Sequence, residues 1–422
     1  MHGNGILKVM LIILAIYFLM DWYAWSGLRT LIAGWRSVRL RQGIKWGYFV
    51  VSIGMALAFF INLRSFRSAA GMTPAHEYIL SFFLTLLITK LFFCLALLLG
   101  DIGRLLYGVV RAVAVPKAGA GSGTPFIPAR RRFISEAAVL VAAVPFAGFL
   151  YAMFRGKYDY RVHRVELFFD DLPAAFDGFT ITQISDIHSG SFDNKAAVQR
   201  GIELARAQNS DLFVFTGDLV NNAAWEIEPY LDGFGSLKAP FGQYSILGNH
   251  DYGDYVVWPS DEEKAANLER LKAHHKTLGY RLLLDENTVL EKDGQHIALI
   301  GVQNWGRGFI QIGDLDKALQ GVREDAFKIC LSHDPTHWEE KIRYHPTTIH
   351  LTLSGHTHGA QLGVETDHFR WSPVQYRYLD WAGLANEKDR YLYVNRGFGF
   401  LAFSGRLGIW PEITVLTLKR KV

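Results

Sequence analysis

The chain has 422 residues, half of them hydrophobic and 14% aromatic, which excludes disorder as its default state. Charge is split unevenly: residues 1–154 hold 15 Lys and Arg against 4 Asp and Glu, whereas the remainder holds 29 against 36. A globular half with net negative charge argues against nucleic acid as a partner, since phosphate backbones need a basic face.

Four apolar segments occupy the basic half, over residues 6–20, 46–63, 78–99 and 133–154. Each comes close to the roughly 20 residues that cross a hydrocarbon core, so residues 1–154 are expected to form a four-helix transmembrane region. A cleavable signal peptide would explain only the first segment. The loop after the first span carries Arg29, Arg36, Arg39, Arg41 and Lys45, and the loop after the third carries six more basic residues between Arg104 and Arg132. The loop between spans two and three has only Arg64 and Arg67. Basic loops stay in the cytoplasm, so both termini and the C-terminal domain are expected outside it. ARRRFI, residues 129–134, agrees with that orientation if read as a twin-arginine export signal, and reads equally as ordinary positive-inside arginines. The glycine-rich residues 117–125 read as a flexible linker. Lys90 sits near the middle of the third span, where an ionisable group needs a partner. Asp21, Asp101 and Glu136 all fall near span ends, two or three turns away, and a structural role outranks a transport one. The two cysteines, Cys94 in a span and Cys330 in an apolar strand, form no disulfide framework.

From about Tyr158 the pattern becomes one of strands alternating with helices. RVHRVELFF alternates as a strand, and FTITQISDIH is an apolar strand ending in Asp186 and His188. A helical stretch over residues 195–208 leads to DLFVFTGDL, a buried strand ending at Asp218. FGQYSILGNHD ends in Asn249, His250 and Asp251. After a helix near residues 261–278, NTVLEKDGQHIALIGV reads as a hairpin about its Asp-Gly turn. AFKICLSHDP ends in His333, TIHLTLSGHTHG in His356 and His358, and YLYVNRG and ITVLTLK close the chain as strands. The expected class is α/β, with functional residues at strand C-termini and a second sheet packed on the first.

Each of these polar residues has an ordinary alternative taken singly: a helix cap for Asp186, a turn for Asn249, a core histidine for His333. Five apolar strands, in chain order, each ending in metal-ligand chemistry make coincidence a poor explanation. Residues two apart on a strand face the same way, so Asp186 and His188 offer oxygen and nitrogen to one ion. Asp218 supplies a carboxylate able to bridge two ions, and the glycines of LSGHTHGAQ let backbone approach them.

The motifs D-x-H, G-D-x-x-[DN], G-N-H-[DE], a lone His and G-H-x-H, as they stand here, resemble the calcineurin-like metallophosphoesterase superfamily. The resemblance runs from about Phe179 to the end, and YVNRGFG followed by PEI looks like its membrane-associated branch. It implies a metallophosphoesterase domain over residues 155–422, a two-sheet β-sandwich flanked by helices. It also implies two divalent metal ions, of the Mn, Fe or Zn kind. Asp186, His188 and His358 would hold one ion and Asn249, His333 and His356 the other, with Asp218 between them. Asn221 stands where many members have Asp, which would weaken a contact behind the ligands and spare the bridge; Ala360 replaces a common Gly.

The implied chemistry is hydrolysis of a phosphodiester or pyrophosphate bond, because paired cations lower the pKa of water and neutralise phosphoryl oxygens. His250, not needed as a ligand, would protonate the leaving oxygen with Asp251 orienting it. HFRWSPVQYRYLDWAG, residues 368–383, mixes arginines and aromatics and would sit at a lipid interface, bind substrate phosphate, or form an ordinary surface loop. Arg370, Arg377 and Arg396 are the substrate-binding candidates. Membrane attachment makes a lipid-linked or envelope phosphoester the first substrate to consider. The alternative is a metal-binding sensor or scaffold that signals through the transmembrane bundle.

Overall fold

Residues 3–62, 73–114 and 128–421 are described in the computed structural model of the chain. Four helices come first: α1 (Gly3–Ile32), α2 (Val38–Asn62), α3 (Pro74–Ala114) and α4 (Pro128–Phe154). Runs of Leu, Ala, Phe and Met with few breakers favour helix, and in a bilayer a helix satisfies its own backbone. Among the described residues three helical stretches, Val38–Asn62, Pro74–Val110 and Arg131–Tyr158, are long and apolar enough to cross a membrane. The first expected span, residues 6–20, lies within α1, whose opening side chains fall outside the described residues. The expected linker at 117–125 also lies outside them. Leu19, Leu99, Leu140 and Val144 stand more than half exposed, as a lipid-facing surface requires.

Lys90 finds its partner in Asp21: Nζ lies 2.7 Å from Oδ1. Ser52 Oγ donates to Asp21 Oδ2 at 2.5 Å and accepts from Lys90 at 2.6 Å. The Tyr48 hydroxyl donates to Asp21 Oδ1 at 2.7 Å, and the ammonium lies 3.7 Å from the Tyr17 ring centroid. Asp21 is not at a span end after all, because α1 continues helical to Ile32.

The chain divides into two compact units, Met1–Leu63 with Ile79–Tyr151 and Arg64–Tyr78 with Ala152–Val422. In the second unit, strands β1 (Arg161–Phe169), β2 (Thr180–Ile184), β3 (Leu212–Phe215), β4 (Gln243–Ser245) and β5 (Arg281–Leu282) enter one sheet. Strands β6 (Glu286–Lys292), β7 (Gln295–Gly301), β8 (Phe327–Leu331) and β9 (Leu351–Ser354) enter another. A short ribbon, β10 (Val364–Glu365) with β11 (Arg370–Trp371), follows. β12 (Gly383–Glu387) and β13 (Arg390–Val394) return to the second sheet, and β14 (Glu412–Arg420) to the first. The orders are β1-β14-β2-β3-β4-β5 and β12-β13-β9-β8-β7-β6.

Ile181, Val214, Leu299, Ile329, Leu353 and Leu416 fill the space between the sheets. On the outer face of the first sheet, Val198 and Ile202 of helix α5 (Lys195–Arg206) pack with Phe215 and Leu271. On the outer face of the second, Trp338 and Ile342 pack with Ile300 and Cys330. This is the two-sheet sandwich flanked by helices that the motifs implied. Strands β2 to β5 run parallel, as do β7, β8, β9 and β13. Their C-terminal ends therefore open in common directions, which is where side chains from distant motifs can meet.

Candidate metal centre

Every expected ligand lies just past the end of a parallel strand: Asp186 and His188 after β2, Asp218 after β3, Asn249 after β4, His333 after β8, His356 and His358 after β9. At each of these points the chain must turn sharply. Asp186, His188, Asp218, His356 and His358 have φ of 52°, 46°, 61°, 72° and 50°. That left-handed region costs a non-glycine residue about 1 kcal/mol or more and persists only where surrounding structure imposes it. Close approach demands glycine next to them. A Cβ on Gly217 would lie 2.6 Å from the Gly248 nitrogen and 2.8 Å from His333 Nδ1, and one on Gly355 would collide with Ser185 and Asp186.

The ligand atoms form two groups, Asp186 with His188 and His358, and Asp218 with His333 and His356, each with its atoms within 4.8 Å of one another. Asp218 joins them: its Oδ2 lies 3.5 Å from His188 Nε2 and 3.2 Å from His333 Nε2. One carboxylate oxygen thus faces both groups. The backing contacts leave ligand nitrogens available. His188 Nδ1 meets Asn221 Oδ1 at 3.1 Å and His333 Nδ1 meets the Thr216 carbonyl at 2.7 Å, fixing rings whose Nε2 atoms face Asp218. His356 lies with Nε2 2.8 Å from the Tyr378 hydroxyl and Nδ1 3.2 Å from His333 Nε2. Asp186 accepts the His356 N–H at 3.0 and 2.9 Å.

The donor set fits two divalent cations. His188 Nε2, His358 Nε2 and Asn249 Oδ1 are buried without hydrogen-bond partners, a costly state for three polar atoms unless an ion takes them up. Asn249 Nδ2 donates to Tyr255 at 2.7 Å, which commits its amine and frees its oxygen. Electrostatics agree at Asp218 and His188, whereas at His333 burial is outweighed by the Asp218 carboxylate, which pushes the ring up to about 10, so a cation there would have to displace its proton. Burial pushes the Asp218 carboxyl up, but the His333 and His250 rings outweigh it and hold the group well below the usual carboxylate range. Burial holds the His188 ring well below the usual histidine value, so it stays neutral and able to ligate.

His250 is set apart from the ligand groups. Its backbone N–H donates to Asp218 Oδ1 at 2.8 Å, and its Nδ1 lies 2.8 Å from the Asn221 carbonyl. Its ring stands edge-on to His188, with centroids 4.9 Å apart, and packs on Tyr255. Asp251 does not orient it, contrary to expectation. The buried Asp251 carboxylate instead accepts backbone N–H groups from Asp218, Gly248, Leu219 and Val220, tying the loops after β3 and β4 together. Burial and the neighbouring Asp218 charge push its carboxyl up to about 7.

The arginine candidates separate. Arg396 is buried and spent on two carboxylates, Glu365 at 2.5 Å and Glu412 at 2.6 Å, so it is not a substrate contact. Arg370 donates to the Ala382 carbonyl at 2.5 Å, stacks on Trp381 and lies 3.4 Å from Glu365, so it too is committed. Arg377 is exposed and stands over Phe309, whose ring packs edge-on against His356. Two residues escaped the sequence reading. Tyr255 holds Asn249 and His250, and the fully buried Arg406 lies 3.1 Å from His358 Nδ1 while donating to the Gly399 carbonyl. Neither lies in a spaced motif, so only the fold brings them in.

Comparison with known proteins bears on the whole chain. Residues 7–157 match a family described as probable calcineurin-like phosphoesterase, transmembrane domain, and residues 179–360 match calcineurin-like phosphoesterase. An uncharacterized metallophosphoesterase of Bacillus subtilis, YkuE, is 29% identical over 258 residues, 59% of this chain and 82% of that protein. The Escherichia coli phosphodiesterase YaeI is 28% identical over 295 residues, 68% of this chain and 98% of its own length. A Danio rerio transmembrane protein with metallophosphoesterase domain is 27% identical over 268 residues, and the match spans 62% of this chain and only 57% of that protein. Both units are thus matched in order, the first by the transmembrane domain of probable calcineurin-like phosphoesterases and the second by calcineurin-like phosphoesterase.

Proposed function

We propose that this membrane protein hydrolyses a phosphodiester or pyrophosphate bond, and that its substrate is lipid-linked or otherwise held in the envelope. The observation that carries the reading is His250, an imidazole left over beside two donor groups that could each hold an ion. The chemistry that two bound cations of the Mn, Fe or Zn kind supply is activation of water and neutralisation of phosphoryl charge. The chain's own residues do the rest. Asp218 faces both ligand groups and fixes their spacing. The Asn221 carbonyl accepts from His250 Nδ1–H, so the ring, once it also carries a proton on Nε2, would give that proton to the departing oxygen. Arg377, exposed above Phe309, is the side chain positioned to meet a substrate phosphate at the rim. The similarity to a protein named as a phosphodiesterase supports the diester, and the transmembrane domain supports a substrate in or near the bilayer.

The test uses the full chain in detergent with Mn or Zn added, against a phosphomonoester, an activated phosphodiester and a lipid-linked pyrophosphate. Turnover of the diester or the pyrophosphate above the monoester is expected. Metal binding without cleavage of any of the three would favour the sensor or scaffold instead. The basic loops put the domain outside the cytoplasm, so protease added to intact spheroplasts should cut it. Cleavage only after the membrane is broken would reverse that orientation.

A further inference from the structure

Within the helical unit, the ends of α1, α2 and α4 border an open cavity of about 640 Å³. Its walls are unusual in charge. Arg29 comes from the last turn of α1, Arg41 and Lys45 from the first two turns of α2, and Arg131 from the first turn of α4. No acidic side chain is among the described residues that line it, and none of the four cations makes an ion pair among the described residues. Arg41 Nε is buried without a hydrogen-bond partner, and the Arg131 guanidinium donates to Ser26 Oγ at 3.5 Å. Four cations held round one space repel one another, and positive-inside topology asks only for charge in the loop, not for its convergence from three helices.

We propose that this cavity binds the phosphate-bearing headgroup of an anionic membrane lipid. Depth favours a lipid over a soluble anion. α1 is 30 residues long, well beyond the roughly 20 that cross the hydrocarbon core, so its Arg29 end projects to the level of lipid phosphates. Trp25, which lines the cavity, is packed against Tyr48 and Phe49, an interfacial aromatic fixed in place. Ile32 and Val38 complete an apolar wall against which acyl chains leave the headgroup. The volume lies within the range of small-molecule sites, and basic pockets between transmembrane helices are suited to phosphorylated headgroups. The inference is independent of what the phosphoesterase domain hydrolyses.

The test is native mass spectrometry of the full chain in neutral detergent, titrated with phosphatidylglycerol or phosphatidylcholine. Retention of phosphatidylglycerol in preference to phosphatidylcholine is expected, and the pair Arg41→Gln with Arg131→Gln should weaken it by about tenfold or more. Arg132→Gln is the control, an exposed arginine on the same helix that pairs with Glu136 and lies outside the cavity. Thermal unfolding of each variant checks that the bundle survives. Equal retention of both lipids, or an equal loss in Arg132→Gln, would overturn the proposal. Displacement of the lipid by millimolar inorganic phosphate would overturn the lipid as occupant and leave a soluble phosphate site.

Discussion

Two of the buried polar clusters among the described residues differ in one respect that separates structure from chemistry. In the helical unit, Asp21, Ser52, Lys90, Tyr48 and Tyr17 satisfy one another. None of their polar atoms is left buried without a partner. In the phosphoesterase domain, His188 Nε2, His358 Nε2 and Asn249 Oδ1 are left so, close to the one carboxylate that faces both ligand groups. A buried charge alone therefore says little. A closed network fixes how helices pack, whereas an open one with convergent donors is shaped for something absent from the chain itself.

The sharpest way to break the comparison is to alter the open cluster at its hub. Asp218→Asn keeps the shape and removes the charge shared by the two groups. Hydrolysis of an activated diester should fall by about three orders of magnitude or more, and the stoichiometry of bound metal should drop. Near-normal turnover with two metals still bound would take Asp218 out of the mechanism. His250→Ala should cost about a hundredfold on substrates with poor leaving groups and far less on nitrophenyl esters, whose oxygen departs without a proton. Equal losses on both would make His250 structural.

The closed cluster should respond in the opposite way. Lys90→Met leaves Asp21 buried and unpaired, so the helical unit should lose about 3 kcal/mol, read as a lower unfolding temperature, with turnover at the metal centre within a few-fold of normal. Replacing Asp21 by Leu in the same protein should restore much of that stability. A large loss of turnover with no loss of stability would mean that Lys90 serves the reaction.

What the sequence made legible follows the same division. The seven residues expected as ligands were legible because each ends an apolar strand, and the period and the glycines are local signals. The contacts behind them are not local. Thr216 offers a carbonyl, Tyr255 and Arg406 lie outside any spaced motif, and the left-handed turns at Asp186 and Asp218 leave no mark in composition. Arg396 was misleading for a related reason. A lone arginine near a phosphate site looks like an anion binder until the fold brings Glu365 and Glu412 against it. Lys90 and Asp21 were separated by an assumed end of the first span, which the helix overruns.

The smallest expected effect tests whether an unpartnered buried atom is enough to mark a site. His275 is fully buried, its Nδ1 lies 2.9 Å from Ser245 Oγ, and its Nε2 has no partner. It thus resembles His188 atom for atom, yet it lies in the apolar core beside Phe215 with no second ligand group facing it. Burial pushes its pKa down to about 3, so the folded chain keeps the ring neutral while the unfolded chain takes up a proton below about 6.5. The sign follows: its contribution to stability is complete above pH 6.5 and is lost as pH falls from there toward 3. One unit into that window, at about pH 5.5, the loss is about 1.4 kcal/mol. With a chelator present to remove metal, unfolding of the full chain should therefore weaken more steeply between pH 7.5 and 5.5 than that of His275→Met, by about that amount. Titration of zinc or manganese should show the same stoichiometry in both. Parallel slopes would mean that His275 is not held neutral, and a lost metal equivalent would mean that a solitary buried nitrogen can act as a ligand, which the comparison of the two clusters denies.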